Sequence, residues 1–342
     1  MPVTLKDIAQ KVGYSVTTVS RALAGYDDVA ESTRQLILKT ADELGYHPNA
    51  TARRLQKQRT DTIGFIIPTH GPRFADPFFS ELLAGIGNGA AERELDLLVS
   101  TRVPGAEELK VYERMVRGQR VDGLLVVRTR RQDPRIAYLL EQDFPFVAFG
   151  RSDLKADFPY LDVDGEAGMR QLTQHLIGLG HRRIGYICAP SNLMFASHRT
   201  KGYQEALAAN DIPFEESLVA VGELTERSGH AVGRELLTRP EHPTAIIACN
   251  DLMALGTISA AQGLGLTVGC DVAVAGFDDV PLAEHSLPAL TTVRQPIYEI
   301  GQRICEMLIL LLREGTLEDH HVLLEPQLIV RESCGASASQ RR

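Results

Sequence analysis

Two short amphipathic helices joined by a glycine are encoded in residues 4–24, which read TLKDIAQKVGYSVTTVSRALA. Thr4 and Asp7 have the spacing of a capping box, and the apolar residues after them form one stripe that Gly13 ends. Ser15 can cap the second helix, whose apolar side faces inward. This pattern predicts a helix-turn-helix. The alternative is a small solvated helical hairpin.

The outward face of the second helix carries side chains suited to reading DNA. Thr17, Ser20 and Arg21 share this face because of their helical spacing. Hydroxyl groups bind phosphates or base edges, and an arginine can bind guanine through two hydrogen bonds. Residues 1–60 carry nine basic and six acidic side chains, whereas the remainder has a net charge of −11. We therefore expect a basic head that contacts DNA. Because its net charge of +3 is modest, we also expect two copies of the chain to bind DNA together.

A third helix and an arginine-rich linker follow. Residues 31–44 have a helical apolar pattern that Gly45 ends, and Asn49 can cap a short helix over residues 50–58. In this linker, Leu55 is an exposed aliphatic side chain beside two arginines, a combination typical of wedges in the DNA minor groove. Packing of Leu55 on a neighbouring domain is an equal alternative.

From residue 62 onward, apolar strand-like runs alternate with amphipathic helices, which predicts parallel α/β layers. Chain crossings are expected at residues 160–165 and 291–296. The predicted body has two doubly wound halves with a ligand in the cleft between them, at the carboxyl ends of the strands. The predicted strands are Ile63–Pro68, Leu97–Thr101, Gly123–Val127, Phe146–Gly150, Ile184–Ala189, Val219–Gly222, Ala245–Asn250 and Val272–Phe277.

Composition and motifs argue against several classes of protein. Apolar residues make up 44% and charged residues 23% of the chain, as in a globular protein. We expect a cytoplasmic protein because no leader or membrane-length apolar span is visible. Five scattered cysteines predict buried free thiols, with no metal site and no cofactor. The sequence motifs of common enzyme classes are missing, and no further metal-ligating residue stands at a suitable sequence spacing from His320-His321. We therefore expect that the protein is not an enzyme.

With these features together, the chain resembles the LacI/GalR family of bacterial transcription regulators, whose body is similar to periplasmic sugar-binding proteins. The resemblance covers residues 4–331. Its marks, in order, are TLKDIAQKVGYSVTTVSRAL, YHPNATARRLQ, IGFIIP, DPFFSELLAGI, CNDLMALG, GFDD and PALTTVRQP. The run of motifs in one order makes the resemblance specific.

The resemblance implies which residues contact operator DNA. Val16 and Thr17 would read bases, Arg21 would make the main guanine contact, and Leu55 would be the minor-groove wedge. The full expected DNA-binding set is Thr4, Ser15, Val16, Thr17, Thr18, Ser20, Arg21, Asn49, Ala52, Arg53 and Leu55.

The resemblance also implies an effector site. Its expected residues are Asp76, Phe78, Phe79, Arg128, Arg151, Phe195, Arg199, Asn250 and Asp278. Carboxylate, amide and guanidinium groups suit sugar hydroxyls, and an aromatic ring suits the apolar face of a pyranose. The structural alternatives are that Phe79 belongs to the core, that Asp251 caps a helix, and that Arg199 and Asp278 form a structural ion pair.

These expectations give a domain plan and a function. The plan is a helix-turn-helix domain (1–48), a hinge (49–60), a body (61–331) and a flexible tail (332–342). In the body, residues 61–162 and 292–321 form the N-subdomain, and 163–291 and 322–331 form the C-subdomain. The expected function is a homodimeric repressor of a sugar operon, most like α-glucoside regulators, with a mono- or disaccharide effector and no membrane partner. Alternatives are a non-sugar effector such as a purine, a sugar-binding module without operator specificity, or a transport-type binding protein.

Overall fold

The computed structural model describes residues 3–46, 59–69 and 76–336. Its contacts divide the chain into two compact units, Met1–Thr60 and Asp61–Arg342. The expected DNA contacts Asn49, Ala52, Arg53 and Leu55 lie outside the described residues.

The first unit contains the expected helices α1 (Leu5–Val12), α2 (Val16–Leu23) and α3 (Glu31–Glu43). The carboxylate of Asp7 accepts hydrogen bonds from the backbone N–H and the hydroxyl of Thr4, both at 2.8 Å, which stabilises the start of α1. Gly13 adopts a left-handed φ of 74° and ends this helix. The Oγ of Ser15 accepts the N–H of Thr18 at 3.0 Å and caps α2. The predicted helix-turn-helix is therefore present.

The three helices pack around a small core. Ile8, Val19 and Ile37 come from different helices, and each is fully buried. Burial of one apolar stripe per helix is what fixes such short helices in place, since isolated helices of this length are marginal in water. The polar face of α2 consequently remains outside the core.

The second unit has the alternating order that the sequence predicts. Its first half contains β1 (Thr62–Pro68), α4 (Pro77–Ala91), β2 (Asp96–Arg102), α5 (Ala106–Arg117), β3 (Gly123–Val127), α6 (Pro134–Glu141), β4 (Phe146–Phe149) and β5 (Tyr160–Val163). The chain continues with α7 (Gly165–Gly178), β6 (Ile184–Cys188), α8 (Met194–Ala208), β7 (Val219–Val221), α9 (Glu226–Leu237), β8 (Ala245–Ala248), α10 (Asp251–Gly263), β9 (Ala273–Ala275) and α11 (Pro281–His285). The last strands and helix are β10 (Thr292–Arg294), α12 (Ile297–Glu314), β11 (His321–Leu324) and β12 (Gln327–Ile329).

Two parallel sheets organise the body. The first has the strand order β11-β5-β4-β3-β1-β2, and the second has the order β7-β6-β8-β9. Strands β1, β3 and β8 are buried along their whole length because helices cover both faces of each sheet. The doubly wound architecture agrees with the prediction.

The predicted boundaries between the halves are wrong in two places. Strand β11 pairs with β5, His321 opposite Tyr160, so residues 321–324 belong to the first half. Strand β10 pairs with β12, Val293 opposite Leu328, and Val293 packs in the core of the second half. The return to the first half therefore begins at α12. The expected crossing at residues 160–165 largely forms β5.

The expected flexible tail is also corrected. Ser333 is fully buried; its hydroxyl donates to the carbonyl of Val274 at 2.6 Å and accepts the N–H of Thr291 at 2.8 Å. Residues 332–336 are thus part of the second half, and 337–342 lie outside the described residues. Cys270 is exposed, so the expectation of buried thiols is correct for the other four cysteines only. Within the described ranges, no helix has the length and apolar character to cross a bilayer.

Candidate ligand cleft and nucleic-acid interface

A cleft lies between the two halves of the body. Its lining combines aromatic rings with a few charged and polar side chains, as in small-molecule binding sites. Seven of the nine expected effector residues line it: Asp76, Phe78, Arg128, Phe195, Arg199, Asn250 and Asp278. The first three come from the first half and the others from the second, so both halves contribute to the walls.

Asp76 and Arg128 form an ion pair on the wall from the first half. Asp76 caps α4, where its Oδ1 accepts the N–H of Phe78 at 3.1 Å, while its Oδ2 lies 2.6 Å from Nη2 of Arg128. Arg128 follows β3 with a φ of 49°. The buried Arg135 donates to the carbonyl of Arg128 at 3.0 Å and to that of Val127 at 3.1 Å. The segment that presents Arg128 to the cleft is therefore held from behind.

Arg199 is the corresponding cation on the wall from the second half. It lies on α8, is almost fully buried, and stacks over the ring of Phe277 at 3.7 Å and that of Phe195 at 4.8 Å. It donates to the carbonyl of Cys249, and its Nη2 lies 3.4 Å from Oδ1 of Asp278. Stacking on both rings gives the guanidinium one orientation.

Asp278 is a buried carboxyl with several charged neighbours. Burial, together with the nearby carboxylates of Asp251 and Asp76, raises the pKa of Asp278 to about 8, although Arg199 and the amide of Gln295 act to lower it. Gln295 donates to Oδ1 of Asp278 at 2.7 Å. A carboxyl in this setting can donate or accept a hydrogen bond near neutral pH.

Aromatic rings provide the apolar part of the cleft. The rings of Phe78 and Phe149 stack with centroids 6.1 Å apart and planes at 13°, and Phe195 lines the cleft from the other half. His198 also lines the cleft; burial and the charge of Arg151 lower its pKa, which favours the neutral imidazole. The buried Nε2 of His198 has no partner among the described residues. The cleft thus combines apolar surface with groups that can hydrogen-bond.

Three assignments need correction or restriction. Phe79 is fully buried in the core of the first half, so the structural alternative is correct for this residue. Arg151 is not among the residues that line the cleft; its Nε donates to Oδ2 of the lining residue Asp162 at 2.8 Å. The cap of α10 is Asn250, whose Oδ1 accepts the N–H of Met253 at 3.1 Å, and not Asp251.

Other lining residues were missed by sequence reasoning. Several of them lie at or directly after the ends of strands in the first sheet, a position that could have identified them because parallel strands end at the ligand edge. Gln295 and His198 lack such a signal: the first follows the short strand β10 and the second lies inside a helix. The missed residues include Thr129, Phe149, Gly150, Asp162, Val163, His198, Leu224 and Gln295.

The outer face of α2 presents the expected DNA-reading side chains. Val16, Thr17 and Arg21 are exposed. Ser20 and Thr18 are half-buried, and the hydroxyls of Thr18 and Ser15 are 2.8 Å apart. Thr4 is exposed at the start of α1. The described expected residues thus include a continuous exposed patch on one helix, which is the geometry needed to enter a major groove.

Two family models match the chain. Residues 4–49 match the model described as bacterial regulatory proteins, lacI family, and residues 173–334 match the periplasmic binding protein-like domain. The first match covers the helix-turn-helix, and the second covers much of the second half of the body. The order of the two matches agrees with the order of the two compact units along the chain.

Relatives align with the chain over nearly its whole length. The HTH-type transcriptional regulator CelR of Thermobifida fusca is 37% identical, covering 96% of this chain and 98% of its own. AglR of Rhizobium meliloti (strain 1021) is 36% identical, covering 98% and 95%. A solved CelR–cellobiose complex is similar, with a TM-score of 0.74 and 36% identity over 97% of this chain and 99% of its own. The lac repressor dimer bound to operator and the anti-inducer ONPF is also similar, with a TM-score of 0.87 and 29% identity over 98% of this chain and 100% of its own. The chain therefore belongs to the lacI family of bacterial regulatory proteins and is a transcriptional regulator with a helix-turn-helix head and a periplasmic-binding-protein-like body.

Proposed function

We propose that this regulator represses a sugar-utilisation operon and that a mono- or disaccharide in the cleft controls its affinity for the operator. One observation carries the proposal: stacked Phe78 and Phe149 lie in the same cleft as the Asp76–Arg128 and Arg199–Asp278 pairs. A pyranose has an apolar face that suits an aromatic ring, and hydroxyls that suit carboxylates and guanidinium groups.

The proposed sugar is an α-glucoside. The segment NLMFASHRTKGYQEAL, which carries Phe195 and Arg199, and the loop VVRTRRQDPRI support this choice by resemblance to α-glucoside regulators. A solved relative carries cellobiose, which makes β-linked disaccharides the direct competitor in a binding test. A purine is the alternative effector within the same family, so purines are included in the binding test.

The proposed contacts are supported by the lining of the cleft and the exposed face of α2, and in the hinge by the family resemblance. In the cleft, Arg199 and Asp278 bind hydroxyls and Phe78 packs on the sugar ring. In the head, Val16 and Thr17 read bases, Arg21 binds guanine, and Leu55 of the hinge enters the minor groove. Supporting DNA contacts are assigned to Thr4, Ser15, Thr18, Ser20, Asn49, Ala52 and Arg53.

We propose that the protein acts as a homodimer, since two heads double a modest positive charge and match a palindromic operator. A sugar that bridges both halves changes the angle between them and so the separation of the two hinges. Sugar and operator are then reciprocally coupled. Typical coupling of about 1 to 3 kcal/mol changes operator affinity about 5- to 150-fold.

A thermal-shift screen of the full-length protein tests the effector class. Maltose, trehalose, cellobiose and purine bases are compared at equal concentration, because a ligand that binds the folded state raises the melting temperature. The proposal expects the largest rise with an α-linked disaccharide. A rise with cellobiose alone contradicts the α-glucoside assignment, and a rise with purines alone contradicts a sugar effector.

A further inference from the structure

Two adjacent histidines at an outer strand of the first sheet face a carboxylate from a loop far away in sequence. His321 begins β11, His320 precedes it, and Asp157 lies between β4 and β5. The Nε2 of His320 is 3.2 Å from Oδ2 of Asp157, and the Nε2 of His321 is 2.9 Å from Oδ1. One candidate ligand atom from each of the three side chains lies within 4.8 Å of the others. Sequence spacing offers the histidines no third ligand, whereas the fold supplies one.

The sheet fixes the positions of these groups. His321 is in register with Tyr160 of β5, and their rings stack with centroids 4.5 Å apart. The carbonyl of His320 accepts the N–H of Tyr160 at 2.7 Å. The centroids of the two imidazole rings lie 4.2 Å apart. The histidines are thus held by backbone pairing and ring packing, although their outer surfaces are open to solvent.

We propose that Asp157, His320 and His321 form a surface site for a divalent transition-metal ion such as Zn²⁺. Zinc binds imidazole nitrogen and carboxylate oxygen at about 2.0–2.2 Å, so two ligands of a tetrahedral ion lie about 3.3 Å apart. The 3.2 and 2.9 Å distances to the carboxylate are close to that separation. Water completes the coordination on the exposed side.

The donor set determines which ions bind. Imidazole suits Zn²⁺, Ni²⁺ and Cu²⁺, whereas Mg²⁺ prefers a shell of oxygen atoms. A bound ion connects the loop that holds Asp157 to strand β11, both in the first half of the body. Because the metal binds the folded arrangement, it also raises the melting temperature.

The test is calorimetric titration of the chelator-treated, full-length protein with ZnCl₂ and with MgCl₂. We expect one Zn²⁺ per chain, no heat from Mg²⁺, and a higher melting temperature with Zn²⁺. The His320→Asn/His321→Asn double variant should weaken zinc binding by more than about tenfold, since loss even of an outer partner costs about 10- to 100-fold. His285→Asn, an exposed histidine on α11, is the matched control and should bind zinc normally.

Asp157→Asn keeps both imidazoles and should also weaken zinc binding, so the proposal can still be tested if the double variant folds poorly. The absence of Zn²⁺ binding by the wild-type protein overturns the proposal. Binding that persists unchanged in both the double variant and Asp157→Asn overturns it as well, and places the ion elsewhere, for example at the exposed thiol of Cys270.

Discussion

Arg21 on the outer face of α2 forms a two-point ion pair with Asp28. Its Nε donates to Oδ1 at 3.1 Å, and its Nη2 lies 2.5 Å from Oδ2. The guanidinium carbon is also 4.8 Å from the ring centroid of Tyr26. Since a guanidinium has five N–H donors, this pairing occupies one edge and orients the remaining donors. The carboxylate therefore positions the arginine that is proposed to read guanine.

Asp28→Asn should reduce operator discrimination. Specific affinity falls because Arg21 loses its orientation, while affinity for random duplex rises because a negative charge near the DNA phosphates is removed. We expect the ratio of specific to random affinity to fall by about tenfold, a loss of about 1.4 kcal/mol. Fluorescence anisotropy at one fixed salt concentration measures both affinities, on a duplex selected from a random library and on a scrambled duplex.

Asp27→Asn is the matched control because Asp27 is exposed and adjacent. It makes the same change in charge without removing the Arg21 partner, so it should raise both affinities together. Equal effects of the two substitutions on discrimination would show that Asp28 acts through charge alone. Arg21→Ala should abolish the preference for the selected duplex, which tests the base-reading role itself.

Helices α4 and α12 approach so closely that a glycine is required at one position of α4. A Cβ at Gly85 would lie 2.1 Å from the carbonyl oxygen of Tyr298, a backbone atom that cannot move aside cheaply. Gly85→Ala should destabilise the body by about 1–3 kcal/mol, as overpacking does. A Cβ at Gly87, on the same helix, would meet no neighbouring atom within 4 Å. Gly87→Ala should stabilise the protein by about 0.5–1 kcal/mol.

Urea denaturation of the two glycine variants measures this difference. The chain has two compact units, and tyrosine fluorescence reports mainly on the body, which holds six of the nine tyrosines. Equal effects of the two substitutions would contradict the close helix contact.

The buried Asp278 predicts a dependence of stability on pH. Its pKa is about 8 in the folded protein because of burial, against 3.8 for an unperturbed aspartate. Between these values the folded chain holds a proton that the unfolded chain has released. The stabilising contribution is therefore complete below about pH 4 and is lost as the pH rises toward about 8, with a slope of up to about 1.4 kcal/mol per pH unit.

Asp278→Asn should remove this slope, because the amide does not titrate. The free energy of unfolding of the wild-type protein should decline between about pH 5 and about pH 7.5 more steeply than that of the variant. Asp251, whose pKa is also raised by burial, interacts with Asp278, so the difference between the two profiles reports the loss of one carboxyl from this interacting pair. Parallel pH profiles would refute the assignment to Asp278.

Much of the fold could be predicted because its signals are local. Strands such as β1 and β3 are continuous apolar runs bounded by turns, and the caps at Thr4 and Ser15 involve residues three apart. Strand β11 was missed for two reasons. Only alternate residues of its sequence HVLL are partly buried, so it is not a continuous apolar run, and it is recognisable only by its pairing with β5, which is far away in sequence.

The cleft was predictable in part for the same reason. Asp76 and Asn250 directly precede helices, and Arg128 follows a strand, so the topology alone places them at the ligand edge. His198 and Gln295 reach the cleft only through the packing of the two halves. Asp157 meets His320 through long-range pairing that no spacing rule reveals.

The central claim is that a sugar bound in the cleft changes the affinity for operator DNA. The most direct measurement is the titration of a selected operator duplex with the full-length protein, without sugar and with the saturating disaccharide identified by thermal shift. The account predicts a change in operator affinity of about 5- to 150-fold in the wild-type protein, and no response in Asp278→Ala, which still binds DNA. An operator affinity that is unchanged at saturating sugar would contradict the account.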